Sequence, residues 1–329
     1  DFFMSEPVTI KRGTEIELGI ESLAYGGMGL ARIENFVIFV KYAIPGQKVL
    51  ARIYKKRKGY AEAQVLETLV ESPNAVDVCC KHYWICSKIQ SLSYDEQIKE
   101  KSSQVEDAFI RLGGFLNFKL DKVQKANLIY HYRNKMEFTF SPNRWVLESE
   151  PEGVDKSFAL GLHIPGRFDK ILEIQNCHIQ PEIGNKILAV AREVCLDNPE
   201  LRPYDPRSHI GFLRFLMLRF GVNTGDLMVN VVTSYHDIDK LSPLTDLLLE
   251  KFPEITSLVN NVNTRKADVA FGEYETLLYG KPFIQEKIGD LTFEISANSF
   301  FQTNTTQGEV LYKEVEEALE LRGDEIIYD

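Results

Sequence analysis

The chain has 329 residues, 44% of them hydrophobic, and a formal net charge of -10. That length exceeds one typical domain, so two or three domains with cores of their own are expected. The acidic balance excludes a protein that coats nucleic acid through its overall charge and directs attention to local basic patches.

No apolar run approaches a membrane span, and the first four residues lack the charged start and long apolar core of a secretion signal. A cytoplasmic protein with no membrane partner is expected. From Val8 to Leu69 several short runs read as strands: Thr14–Ile20, Val37–Val40, Val49–Tyr54 and Ala61–Leu69. Gly26-Gly27 and Pro45-Gly46 supply tight turns. Short strands joined by glycine turns predict a small barrel of the OB type over residues 8–70. Its basic run, Lys55-Lys56-Arg57-Lys58 beside Tyr60, is a solvated hairpin tip when taken alone. On an OB barrel inside an acidic protein it reads as a contact for RNA phosphates.

Five cysteines are too few and too uneven for a disulfide framework. Three of them, Cys79, Cys80 and Cys86, crowd one short segment, which points to a metal or iron-sulfur site. Ser93–Gly114 is the clearest helix: Ser93 and Glu96 make a capping box, Tyr94, Ile98, Val105, Phe109 and Leu112 share a face, and Gly113-Gly114 ends it. Leu128–Phe140 alternates, with Tyr130, Tyr132, Met136, Phe138 and Phe140 on the core side and His131, Arg133, Lys135, Glu137 and Thr139 on the other. Strands over 159–163, 171–174, 211–219, 227–233 and 257–262 enclose helices over 183–194 and 244–251, giving an α+β domain. Arg214 and Arg219 read as RNA contacts or as rim salt bridges, and Cys195 as core.

The last stretch begins with an alternating run (Phe293, Ile295), a turn at Ser296-Ala297-Asn298, and the polar-aromatic cluster Phe300-Phe301-Gln302-Thr303-Asn304. A helix follows, capped by Asn304 or Thr305 and stopped at Gly323. Glu325–Asp329 reads as a buried strand.

Three segments together resemble the RNA (uracil-5-)-methyltransferases: SFFQTN (299–304), YRNKMEF (132–138) and LAYGGMGLARIENFVIFVKYAIPGQKV (23–49), the last similar to a TRAM domain. The resemblance implies a TRAM barrel over residues 8–70 and a central α+β domain over residues 71–92 and 127–292. Residues 93–126 and 293–329 would then belong to a Rossmann-like methyltransferase domain.

It also implies S-adenosylmethionine as methyl donor and Gln302 as the residue that touches it. Phe300 and Asn304 would lie near the target base, with Arg133 and Lys135, like Lys55, Lys56, Arg57 and Lys58, as RNA contacts. The expected partner is RNA, 23S rRNA before tRNA, and the expected state a monomer. The alternatives are a tRNA uracil-5-methyltransferase and an RNA-binding module without catalysis. In the family a cysteine thiolate adds to carbon 6 of uracil and a carboxylate removes the proton from carbon 5. No residue here matches either group, so both are expected past Asp329, and the chain by itself is expected to bind RNA without methylating it.

Iron-sulfur members of the family space four cysteines so that Cys80, Cys86 and Cys177 match the first, second and fourth. Ile89 stands at the third, and Ser87 and Lys88 replace two glycines. Three readings follow: Cys79 takes the vacant position, a zinc or degraded cluster uses the three cysteines with His82 or His178, or the metal has been lost, which is the reading favoured here.

Overall fold

A computed structural model describes residues 10–267 and 269–328. The chain forms two compact units that meet in sequence at Lys125 and Ala126.

In the first unit, β1 (Glu15–Gly19), β2 (Ser22–Ala24), β3 (Met28–Ile33), β4 (Phe36–Lys41), β5 (Lys48–Lys56) and β6 (Tyr60–Val70) form one sheet in the order β1-β5-β6-β4-β3-β2. Every neighbouring pair is antiparallel except β4 with β6. Inward positions alternate along each strand and bury Leu18, Ile38, Val40, Val49 and Ile53 around Ala31, Ala51, Ala61 and Ala63. The small alanines and three irregularities between β5 and β6 let the sheet curl on itself. Gly29 is required where β3 passes the chain below it, since a Cβ there would lie 2.9 Å from Ile20 and 3.0 Å from Ala43. Strands β2 and β3 were hidden in sequence by the glycines between them, Gly26 and Gly27, both at positive φ.

After α1 (Tyr83–Cys86) comes α2 (Tyr94–Asp107), which ends in a π-helical turn, Ala108–Leu112. Ser93 precedes α2 but its side chain makes no cap bond, so the expected capping box is absent. The Gln97 side chain donates to the Leu92 carbonyl instead. Helix α2 seals the edge strand β2: Glu100 accepts from the Leu23 amide at 2.8 Å, and Gln104 donates to the Leu23 carbonyl at 3.2 Å. The face expected to be apolar core is open toward its end, where Val105, Phe109 and Leu112 are exposed.

The second unit is built on an eight-stranded sheet of β7 (Lys135–Ser141), β8 (Arg144–Trp145), β9 (Ala159–Ile164), β10 (Arg167–Glu173), β11 (Leu213–Phe220), β12 (Leu227–Thr233), β13 (Ser257–Val262) and β14 (Tyr274–Gly280). Their order is β14-β13-β12-β11-β7-β9-β10-β8. Every residue of β11, β12 and β13 is buried, as expected of strands covered on both faces. Helices α3 (Glu182–Asp197) and α4 (Ile238–Lys251) bury Ile187, Leu188, Leu241, Leu244 and Leu248. The hairpin of β15 (Phe283–Ile288) and β16 (Leu291–Ser296) leads into α5 (Thr305–Leu319).

Four local expectations are corrected. The strand predicted from Leu128 starts only at Lys135. His131 has φ +55°, and the amides of His131 and Arg133 bond the carbonyls of His178 and Ile179 rather than a sheet neighbour. Helix α4 starts six residues before Leu244 despite Pro243, because the Ser242 hydroxyl donates to the Asp239 carbonyl that the proline leaves without its usual partner. The left-handed residue ending α5 is Glu320, at φ +48°, rather than Gly323. Residues 325–328 form no strand and are exposed; Asp329 lies outside the described residues.

The barrel core predicts a measurable cost: Ile38→Ala removes a fully buried side chain at the centre of β4. It should destabilise the barrel by about 3 kcal/mol. The loss should appear as a lower urea midpoint followed through Trp84 fluorescence in a Trp145→Phe background.

Candidate nucleic-acid interface and active-site segment

On the barrel, the outward side chains of β4, β5 and β6 place aromatic rings beside cations. The rings of Phe39 and Tyr60 meet edge-on at 5.7 Å. Lys41 lies 4.6 Å from the centre of the Tyr54 ring, and Lys56 lies 5.9 Å from that of Phe36. The tip between β5 and β6 carries Arg57, Lys58 and Gly59, all exposed. Lys55 differs from its three neighbours, because its ammonium pairs with Glu62 at 2.5 Å. Glu62 also accepts from the Tyr54 hydroxyl at 2.9 Å. The hydrogen bonds from Lys55 and Tyr54 hold the Glu62 carboxyl below its ordinary range, whereas burial and the Glu62 contact push the Tyr54 phenol up. Among the described residues, no carboxylate pairs with the other three cations, Lys56, Arg57 and Lys58. Cations beside stacking rings suit single-stranded nucleic acid.

In the second unit the YRNK and SFFQTN segments meet. The Asn134 amide donates to the Thr303 carbonyl at 2.8 Å, and its side-chain Nδ2 donates to the Gln302 carbonyl and to the Thr305 hydroxyl, both at 2.8 Å. Gln302 is half-buried and rests its Cβ beside Gly308 in the first turns of α5. Phe301 turns inward against Phe293 at 5.7 Å, and its neighbour Phe300 is 85% exposed, open for stacking. Asn304 caps α5: its Oδ1 accepts from the Gln307 amide and the Thr306 hydroxyl, so this oxygen is committed to the helix. Arg133 and Lys135 flank Asn134. Arg133 donates from Nε to the Lys135 carbonyl at 2.9 Å, and the Lys135 ammonium pairs with Glu137 at 2.5 Å.

Arg214 and Arg219, expected as RNA contacts or rim salt bridges, lie inside the second unit rather than at a rim. Both are buried and bind main-chain carbonyls. Arg214 donates to Asn263, Arg265 and Ala267, with its guanidinium 4.3 Å from the centre of the Tyr204 ring. Arg219 donates to Ala297 and Ser299, directly ahead of Phe300. Burial pulls the Arg219 guanidinium down to about 10, with Glu137 opposing. Asn134 and Glu286 were missed as site residues in sequence, whereas Arg219 was read as an RNA contact or rim salt bridge and Thr305 as a candidate helix cap. The available signal was phase: Asn134 and Glu286 are polar residues at inward positions of apolar alternations, Glu286 between Ile284 and Ile288.

Residues 10–66 match the TRAM domain family. An uncharacterized RNA methyltransferase of Porphyromonas gingivalis is 38% identical over 320 residues, which covers 94% of this chain and 68% of that protein. The chain belongs to this family of RNA methyltransferases. An uncharacterized RNA methyltransferase of Chlorobaculum tepidum is 40% identical over 87% of this chain and 60% of its own length. The solved tRNA (uracil-54, C5)-methyltransferase of Pyrococcus abyssi, in complex with S-adenosyl-L-homocysteine, shares the fold with a TM-score of 0.66 and 24% identity. That match covers 92% of this chain and 64% of the neighbour's. The chain thus spans about three fifths to two thirds of these proteins' lengths.

This family member does not gather a metal-binding set among its described residues: no three His, Cys, Asp or Glu side chains there are placed to hold an ion. Cys80 is buried with its sulfur 2.9 Å from His82 Nδ1, Cys86 is exposed, and Cys177, in the second unit, is buried with its amide donating to Asn185. Among the described residues no helix is long and apolar enough to cross a membrane.

Two outcomes test this geometry. Glu62 has a lowered folded pKa, so its contribution to stability is present above the ordinary carboxyl value of 4.5 and is lost as pH falls through the lowered one. Glu62→Gln should therefore lower the urea midpoint at pH 7 and converge with the wild type in acid, while releasing Lys55 and steepening the salt dependence of RNA binding by about one unit. Burial pushes the Cys195 thiol up to about 12. Iodoacetamide at pH 8 should then modify exposed Cys79 and leave Cys195 untouched in peptide mass spectra.

Proposed function

We propose that this chain is the substrate-reading and donor-positioning part of an enzyme that transfers a methyl group from S-adenosylmethionine to carbon 5 of a uridine in 23S rRNA. One observation carries the reading: Asn134 stitches the family's YRNK segment to its SFFQTN segment, joining the residues expected at RNA with the one expected at the donor. The reaction forms a bond between the methyl carbon and carbon 5 as the sulfonium bond to that methyl breaks. A thiolate adds first to carbon 6, and a carboxylate then takes the carbon-5 proton so that the thiolate leaves. In this reading both groups belong to positions not matched in this chain.

The chain's own residues bind and orient. Lys56, Arg57 and Lys58, with Arg133 and Lys135, neutralise phosphates, Phe300 stacks on the target base or its neighbour, and Gln302 contacts the methyl donor. A flipped base suits the exposed Phe300 ring, which favours unpaired RNA. The enzyme works as a cytoplasmic monomer. A second reading, tRNA as substrate, is supported by the Pyrococcus abyssi neighbour, whose name gives tRNA. The part of this chain left unmatched by that neighbour is smaller than the barrel, so possession of a barrel does not separate the two substrates.

The test is transfer of labelled methyl by the full-length protein onto 23S rRNA and tRNA made without modifications, with nucleoside analysis of the product and the 329-residue chain assayed alongside. Label in 5-methyluridine from rRNA is expected. Label from tRNA alone selects the second reading, and label on another atom, or none on either RNA, overturns the proposal. Replacing Lys56, Arg57 and Lys58 together with alanine should raise the KM for RNA by about tenfold or more and flatten its salt dependence by about three units.

A further inference from the structure

The Gln302 segment is held by a buried chain of hydrogen bonds whose members lie off the reacting groups. The Thr305 hydroxyl accepts from Asn134 Nδ2 at 2.8 Å and donates to Glu286 Oε2 at 2.8 Å. Asn134 and Thr305 are 5% and 0% exposed, and Glu286 is 0% exposed. Glu286 accepts three further bonds, from the amides of Val222 at 2.7 Å and of Asn223 and Lys287 at 2.9 Å. The turn bearing Val222 and Asn223 is in turn fixed to the hairpin and to α5. Thr224 donates to the Gln285 carbonyl, the Gln285 amide donates to Asp226, and Asn223 Nδ2 donates to the Lys287 carbonyl and to Glu309.

A buried hydroxyl with both its donor and acceptor roles in use has one orientation. Thr305 therefore fixes, through Asn134, where the Gln302 main chain lies relative to the strand bearing Arg133 and Lys135. Deleting that hydroxyl leaves Asn134 Nδ2 with the Gln302 carbonyl as its one remaining partner and Glu286 Oε2 with the Val222 amide, and buried groups short of a bond relax by moving the chain that carries them. The chain free to move is 300–304, which is tied by Arg219 at its start and by Asn134 and the α5 cap at its end.

The geometry points to Thr305 as a positioning residue, with Asn134 and Glu286 on either side of it: a relay that sets affinity for the methyl donor by holding the Gln302 main chain, without touching donor or RNA. This inference rests on the proposed contact between Gln302 and the donor, and the experiment separates the two. In the full-length protein, dissociation constants for S-adenosylhomocysteine and for RNA are measured for the wild type, Thr305→Val, Thr305→Ser and Glu286→Gln, each at a temperature well below its own melting point.

Thr305→Val should weaken S-adenosylhomocysteine binding about tenfold with RNA affinity within twofold of wild type, and Thr305→Ser, which keeps the hydroxyl, should restore it. A purely structural role would lower the melting temperature and leave donor affinity unchanged in the folded protein; that result overturns the relay. A Thr305→Ser protein as weak as Thr305→Val also overturns it, since the hydroxyl would then not be what matters. Should Thr305→Val fail to fold, Glu286→Gln carries the same test: about tenfold weaker donor binding supports the relay, and unchanged binding overturns it. Failure of the wild type to bind S-adenosylhomocysteine overturns the proposed donor contact itself.

Discussion

The Glu286 carboxylate is enclosed completely and accepts from three main-chain amides and one hydroxyl. Enclosing a carboxylate is costly unless its lone pairs are met, and here the donors that meet them come from three separate places. They are the turn between β11 and β12, the β15 strand itself, and the start of α5. Because one group must satisfy all three, their mutual positions are fixed more tightly than apolar packing would fix them. The segment bearing Phe300 and Gln302 enters α5 from this anchored point, and Asn134 extends the constraint to the start of β7. The sheet below supplies the rigid floor: three adjacent strands are buried along their whole length.

The barrel of the first unit solves a different problem. Its sheet must bend around a small core, and alanines at inward positions of β3, β5 and β6 allow the approach. Polar groups left at its short edge strand are met by Glu100 and Gln104 of α2 rather than by another strand. On the surface where rings and cations lie side by side, Lys55 and Tyr54 are tied to Glu62.

Much of this was legible from residue patterns, and the exceptions have physical reasons. Alternation found β1, β4, β5, β6, β12 and β13, because each either has one wet face or carries an unbroken apolar run. It overran at Leu128–Asn134, where period-two spacing occurs in a chain that pairs with a loop through His131 and Arg133 instead of with a strand. Pro243 hid the start of α4 because a serine hydroxyl compensates for the missing amide, a long-range-looking effect that is local once Ser242 is considered. For the site, the family motifs pointed to Gln302, Phe300 and Arg133. Of the residues that hold them, Asn134 and Glu286 lay unremarked inside hydrophobic runs. Arg219 was misassigned outward because a cation in a strand is ordinarily wet, and only the carbonyls of Ala297 and Ser299 explain its burial.

Buried arginine and carboxylate side chains among the described residues are Arg214, Arg219, Asp169 and Glu286, two of each sign. Asp169 pairs with Arg207 at the surface, the two arginines donate to peptide carbonyls, and Glu286 accepts from peptide amides and a hydroxyl. Fixed dipoles inside a protein are scarcely screened by dissolved ions, whereas contacts at an exposed basic hairpin are. Ionic strength therefore acts on the two halves of the machinery unequally. Under the proposed function, a rise in salt would weaken phosphate contacts at the barrel tip while the interior hydrogen bonds that hold residues 300–304 keep their geometry.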